Sequence, residues 1–294
     1  MTIDKFIGTG IAIVTPFLDN GNVDFDSLKK LVNFQITNGV NYLVVLGTTG
    51  ETATLNNEEK SSVVDCVIET TNNRVPIVVG FGGNNTQDVV QQIKNFNNFD
   101  KIDAILSVAP YYNKPSQEGL FQHYKLISET SPVPVIIYNV PSRTSINISA
   151  ETTVRIAKTL SNVIAVKEAS GDLNQIMQII KDKPDDFLVI SGDDAITFAM
   201  IQLGASGVIS VIGNAFPREF SSMVQQTLKG ENQQALKNHY RLFELIKGIF
   251  IEGNPAGIKA LLHQRNIILN NLRLPLLPAS NSLYKKLNKL REEL

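Results

Sequence analysis

Lys167 occupies a position that lysines usually avoid. The apolar run Val163, Ile164, Ala165 and Val166 ends in it, and Glu168, Ala169, Ser170 and Gly171 follow at once. A run that short, bounded by turn residues, reads as a strand buried on both faces, where lysine is rare. Its ammonium could snorkel to the rim or pair with Glu168. Alternatively it is a nucleophile: desolvation disfavours the ammonium, and the neutral amine that remains attacks a carbonyl to form a Schiff base. Its neighbours favour the nucleophile. Tyr138 ends the preceding apolar run. Alone it would be a packing residue with one hydrogen bond, but adjacent strands would bring its hydroxyl near the amine. Imine formation expels water and enamine formation removes a methyl proton, so an acid and base is needed there. The turn "GTTGE" at 47–51 is the third part. Gly47 and Gly50 permit turn conformations closed to other residues, which would let backbone N–H groups form an anion-binding concavity around Thr48 and Thr49. A threonine hydroxyl donates and accepts, so one of the two could pass a proton between tyrosines.

Elements far apart in the chain must bring these groups together. Short apolar runs recur as "IAIVTPF" from Ile11, "NYLVVLG" from Asn41, "VPIVVGF" from Val75, "AILSVAP" from Ala104, "PVIIYNV" from Pro134, "VIAVKEA" from Val163, "FLVISGD" from Phe187 and "GVISVIG" from Gly207. Their starts are 30, 34, 29, 30, 29, 24 and 20 residues apart, each the length of a strand plus a covering helix. Eight such units predict an α/β fold, a (β/α)8 TIM barrel, with an open doubly wound sheet as the alternative. From about Phe216 only helical patterns remain, so the chain divides into a barrel core at 1–215 and a C-terminal helical extension at 216–294. No flexible linker separates them. Most runs end in polar or glycine-rich segments, such as "GFGGNN", "PYYNKP", "YNVPSRT" and "SGDD". In a parallel barrel these ends share the face on which active sites are built.

The composition narrows the function classes. The 294 residues are 43% hydrophobic and 19% charged with a net charge of −1, which argues for a soluble protein and against nucleic acid or anionic membrane as partners. No apolar run approaches the roughly 20 residues of a membrane span, and the start "MTIDKFIGTG" lacks the apolar core of a leader. The lone Cys66 allows no internal disulfide and suits a reducing, cytoplasmic setting. His123, His239 and His263 fall in helix-like segments, and Asp193 with Asp194 reads as a helix-start cap, so no metal is expected.

Taken in order, "GTTGE", "PYYNKPSQEGL", "YNVPSRT", "VKEASGD", "ISGDD" and "GVISV" resemble the dihydrodipicolinate synthase family, within the pyruvate-dependent class I aldolase and N-acetylneuraminate lyase superfamily. The resemblance runs from about Gly8 to "LRLPLLP" at 272–278. It implies a cofactor-free condensation of pyruvate with L-aspartate-4-semialdehyde in lysine biosynthesis. Lys167 is then the Schiff-base residue and Tyr138 the proton donor and acceptor. Thr48 and Tyr112 complete a relay, with Tyr112 supplied by a neighbouring subunit of a homotetramer built from two tight dimers. Thr49 and Ile209 hold pyruvate, Gly192 lines its site, and Arg143 takes the semialdehyde carboxylate. Another pyruvate lyase, such as N-acetylneuraminate lyase or a 2-keto-3-deoxy sugar acid aldolase, is the nearer alternative. Thr48-Thr49, Tyr111-Tyr112 and Arg143 count against it. A non-catalytic keto-acid-binding barrel is the more distant alternative, and the intact lysine, tyrosine and threonine set counts against that.

Lysine-inhibited members of the family bind lysine at positions corresponding to Thr52, Ala53, Asn57, Lys60, Asn84, Asp88 and Tyr111. Where the sensitive pattern has two histidines and a glutamate, this chain has Asn57, Lys60 and Asp88. A fixed charge on Lys60 about 4 Å from the ligand's ammonium would repel it by up to about 4 kcal/mol, less with solvent and salt. Weak or absent inhibition is the expectation.

Overall fold

The computed structural model describes residues 3–294; Met1 and Thr2, at the head of the segment read for a leader, lie outside it. The apolar runs become the strands β1 (Gly8–Ala12), β2 (Tyr42–Val45), β3 (Ile77–Gly80), β4 (Ala104–Val108), β5 (Val135–Asn139), β6 (Val163–Glu168), β7 (Leu188–Ser191) and β8 (Gly207–Ser210). Each pairs in parallel with the next, and β8 returns to β1, so the sheet is a closed barrel and not an open doubly wound sheet. The strands are β-branched and short, and successive side chains alternate between two apolar environments. Ala12, Val44, Val78, Leu106, Ile136, Ala165, Ile190 and Ile209 fill the interior. Val45, Val79, Ile105, Ile137, Val166, Val189 and Val208 pack outward with the helices.

β1 begins at Gly8, three residues before the apolar run that predicts it. "GTG" hides the strand because its glycines carry no apolar signal. At Gly10 a β-carbon would lie 2.2 Å from the Tyr42 ring, so the strand needs the missing side chain there. Tyr42 fills that space and meets Phe6 edge-on, with centroids 5.6 Å apart.

A helix follows every strand, several of them started by a side-chain cap: Asp24 accepts from Ser27 N–H, and Asn56 and Glu59 form a reciprocal capping box. The helix after β8 is Pro217–Leu228, which packs on β1 and β8 and closes the eighth unit. A division at 215/216 would part that helix from its strand. The helices Asn232–Gly248, Ala256–Gln264 and Asn281–Glu292 extend beyond the eight units.

The helix Gln117–Thr130 buries His123, whose Nδ1 lies 2.9 Å from Thr86 Oγ while Nε2 has no partner among the described residues. Burial pushes its pKa down to about 4. The unfolded chain binds this proton below about pH 6.5 and the folded chain does not. Stability should therefore fall between about pH 6.5 and about 4, and this contribution should level off below that. In urea unfolding at pH 7 and pH 4.5, His123→Gln should narrow the stability difference by about 2 kcal/mol. An unchanged difference would contradict the assignment.

Candidate active site

Lys167 and Tyr138 are register partners on β6 and β5. Period-two alternation puts both on the inner face with Ala165 and Ile136. Lys167 is only 6% exposed, so the side chain as a whole is buried. Its Nζ lies 4.2 Å from the centroid of the Tyr138 ring. The amine thus lies against the tyrosine ring, as pairing of the two strands predicts.

Lys167 does not pair with Glu168, because consecutive strand residues face opposite ways. Glu168 is fully buried in the outer layer. It accepts from Asn139 Nδ2 at 3.0 and 3.2 Å and from Ser170 N–H at 2.7 Å. Burial raises its pKa and these hydrogen bonds oppose the rise. The network ties the ends of β5 and β6 together directly behind the Lys167–Tyr138 pair.

Gly192, just after β7, makes room for the lysine stem. A β-carbon there would lie 3.1 Å from Lys167 Cε, 3.2 Å from its Cγ and 2.7 Å from Ala169 Cβ. Its absent side chain therefore serves Lys167 directly. Ile209, on the inner face of β8, is buried in the same interior cluster as Tyr138.

The turn after β2 departs from the expected conformation. Its left-handed residues are Leu46 (φ 58) and Glu51 (φ 54), not the glycines. Gly47 is extended, with φ −74 and ψ −179. Gly50 is small for a different reason: a β-carbon would come within 3.2 Å of the Ile13 carbonyl oxygen. Thr48–Gly50 forms a 3₁₀ turn in which Gly50 N–H donates to Gly47 C=O at 3.0 Å and Glu51 N–H to Thr48 C=O at 3.1 Å. The first N–H groups of such a turn have no partner inside it, so those of Thr48 and Thr49 can meet an anion. Thr49 is 2% exposed and accepts from Asn254 Nδ2 at 2.9 Å, a contact that no local pattern announces.

Two expected groups are exposed, unlike the buried pair. Arg143 is exposed on the short helix Pro141–Thr144 that follows β5. Tyr112 is 86% exposed. It has φ 74, and Asn113 N–H donates to Tyr111 C=O at 2.9 Å, the strained γ-turn. Asn113 Nδ2 also reaches the Asn84 carbonyl at 3.0 Å, bringing the Tyr111 loop to Asn84. Thr52 and Ala53 lie in the 3₁₀ turn Thr52–Thr54, and Asn57 and Lys60 in the first turn of the helix Asn57–Thr71. Ala53, Asn57, Asp88 and Tyr111 are exposed, and Thr52, Lys60 and Asn84 are half-buried.

Asp193 and Asp194 do not cap a helix as a pair. Asp193 accepts from Ala195 N–H at 2.9 Å, while Asp194 accepts from Val211 and Ile212 N–H at 3.0 and 2.7 Å. Asp194 thereby joins the loop after β7 to the one after β8. Burial raises its pKa to about 6.

A buried lysine against a tyrosine ring in a closed barrel, with a threonine turn after another of its strands, is an arrangement that imine formation on a carbonyl compound would need. The model of the dihydrodipicolinate synthetase family matches residues 5–294. The chain belongs to that family. The 4-hydroxy-tetrahydrodipicolinate synthase of Parabacteroides distasonis is 53% identical over 287 residues, spanning 98% of this chain and 96% of the relative. A monomeric dihydrodipicolinate synthase variant superposes with a TM-score of 0.95 at 41% identity, covering 98% of this chain and 97% of its own. The chloride-inhibited dihydrodipicolinate synthase of Acinetobacter baumannii, complexed with pyruvate, gives a TM-score of 0.94 at 39% identity and 98% coverage of both chains. Like these family members the chain is an enzyme, and among its described residues no helix is long and apolar enough to cross a membrane.

Proposed function

We propose that the chain acts as a 4-hydroxy-tetrahydrodipicolinate synthase in lysine biosynthesis, condensing pyruvate with L-aspartate-4-semialdehyde through an imine on Lys167. The observation that carries this reading is the buried Lys167 in register with Tyr138 at the barrel mouth. The neutral amine adds to the pyruvate ketone, and water leaves as the imine forms. Tyr138 supplies the proton for that departure and takes one from the methyl group to give the enamine. The enamine carbon bonds to the aldehyde carbon of the semialdehyde. The semialdehyde's own amine then displaces Lys167 and closes the ring. Thr49 and Ile209 hold pyruvate beside Gly192, and the Arg143 fork grips the semialdehyde carboxylate. Thr48 and Tyr112 carry protons between Tyr138 and solvent.

The same reading makes the enzyme a cytoplasmic homotetramer, a dimer of dimers. An exposed tyrosine held at φ 74 costs about 1–3 kcal/mol, a conformation suited to a residue that completes a partner's site. Further apolar side chains are available for contacts: Leu274 and Leu277 near the chain's end, and Leu203 and Tyr240 around the joined helices Thr197–Gln202 and Asn232–Gly248. Cys66 is free and buried, as a reducing compartment allows. Thr52, Ala53, Asn57, Lys60, Asn84, Asp88 and Tyr111 form the candidate lysine site, weakened by the charge on Lys60.

Lys167→Ala and Lys167→Arg should both lose the borohydride-trapped pyruvate adduct, since arginine stays protonated. Their circular dichroism should match wild type, and near-normal turnover with the semialdehyde in either variant would remove Lys167 from its role. Tyr112→Phe should lower kcat by about 10- to 100-fold with little change in the pyruvate KM, because only a proton-carrying hydroxyl is lost. A monomer with full activity in a light-scattering-coupled assay would contradict the shared site. Lysine added to the condensation assay should inhibit weakly or not at all; half-inhibition at submillimolar lysine would show that Lys60 is no obstacle.

A further inference from the structure

The far end of the chain holds the turn at 47–51 in place. Left-handed residues bracket that turn at Leu46 and Glu51, and each costs a non-glycine residue about 1–2 kcal/mol. Such strain persists only where the surroundings over-determine it. At Glu51 those surroundings are the C-terminal segment. The buried Glu51 carboxylate pairs with Lys259, which is itself fully buried in the helix Ala256–Gln264. The other Glu51 oxygen accepts from Arg273 N–H at 3.1 Å. Lys259 also donates to the Asn271 carbonyl at 2.9 Å, and the Arg273 guanidinium reaches Glu59 at 2.7 Å and the Thr54 carbonyl at 3.0 Å. Removing either partner of such a pair leaves an uncompensated buried charge, so the turn is pinned.

Asn254, five residues before Lys259, makes the contact nearest to the chemistry. Its Nδ2 donates to Thr49 Oγ at 2.9 Å, and it is 8% exposed. The direction of this bond decides what Thr49 can offer. A hydroxyl that accepts here keeps its proton for another acceptor. With the amide turned the other way, Asn254 would take that proton and leave only lone pairs facing an anionic substrate. Among the described residues, Asn254 Oδ1 is buried without a partner.

Resting on the reading of Thr49 as a pyruvate ligand, we propose that Asn254 is a positioning residue: by donating to Thr49 Oγ it aims the threonine O–H at the pyruvate carboxylate, while the Glu51–Lys259 pair holds the turn in register. The C-terminal extension then belongs to the substrate site and is more than a covering layer.

A double-mutant cycle on the full-length enzyme tests this, with Thr49→Val, Asn254→Ala and the double variant. The readouts are the pyruvate Kd from titrated borohydride trapping on Lys167, followed by intact mass, and the KM for each substrate. Asn254→Ala should weaken pyruvate binding about three- to ten-fold, as the loss of one aimed hydrogen bond does. The semialdehyde KM should stay within about two-fold, a split that general loosening of the fold would not produce. In the Thr49→Val background the second substitution should cost nothing further. Asn254→Asp, which cannot donate when ionised, should weaken pyruvate binding more than Asn254→Ala. Asn254→Ser replaces Asn254→Ala in the cycle if the latter does not fold. Additive losses, or an unchanged pyruvate Kd in the Asn254 variants alongside a weakened Thr49→Val, would overturn the role of Asn254 alone. A Thr49→Val enzyme with wild-type pyruvate affinity would overturn the Thr49 reading and, with it, this one.

Discussion

Withdrawing the Lys167 amine from water costs hydration that apolar neighbours cannot return, and much of the local architecture accommodates that one side chain. Closure of the barrel leaves its interior no sheet edge at which backbone groups stand unpaired. The Tyr138 ring lies against the Lys167 Nζ, whose distance to the ring centroid is 4.2 Å. Gly192 gives up its side chain so that the lysine stem can pass. Glu168, the one carboxylate adjacent in sequence, is turned away into its own set of hydrogen bonds.

Among the described residues, five of the eight non-glycine residues at positive φ, Leu46, Glu51, Tyr112, Lys114 and Ser145, lie in the segments after β2, β4 and β5, at the carboxyl end of the barrel. Leu46 and Glu51 flank the threonine turn and Tyr112 tops an exposed γ-turn, all at positive φ without being glycine. In a parallel barrel the strand interiors are constrained by pairing and by packing on both faces. The loops at the carboxyl ends are freer to adopt shapes that hydrogen bonds and ion pairs can lock. Asp194 and Glu51 do that locking across loops: one bonds to backbone amides after β8, the other to Lys259 and Arg273.

Local chemistry in the chain determined much of this. Apolar runs at strand-plus-helix spacing predict eight units, and their polar ends predict a shared face. A lysine at the end of one run and a tyrosine at the end of the one before predict an amine with a proton carrier. These are legible because strand alternation and turn chemistry are written within a few residues. β1 escaped at Gly8–Gly10 because its reason for having glycine, the Tyr42 ring, lies 32 residues further on.

Tertiary structure alone decided which partners meet. Asn254 and Thr49 are 205 residues apart, and Glu51 finds its counter-charge on Lys259, in a helix beyond the eight units. A polar side chain looks the same in sequence whether it meets solvent, a backbone amide or another side chain, so only the folded path selects among them. The turn at 47–51 shows the division: its residue types announce an anion site, yet its strained positions, Leu46 and Glu51, carry no glycine to mark them. The conformation of Glu51 is held by Lys259 and Arg273 from the opposite end of the chain, which no local pattern encodes.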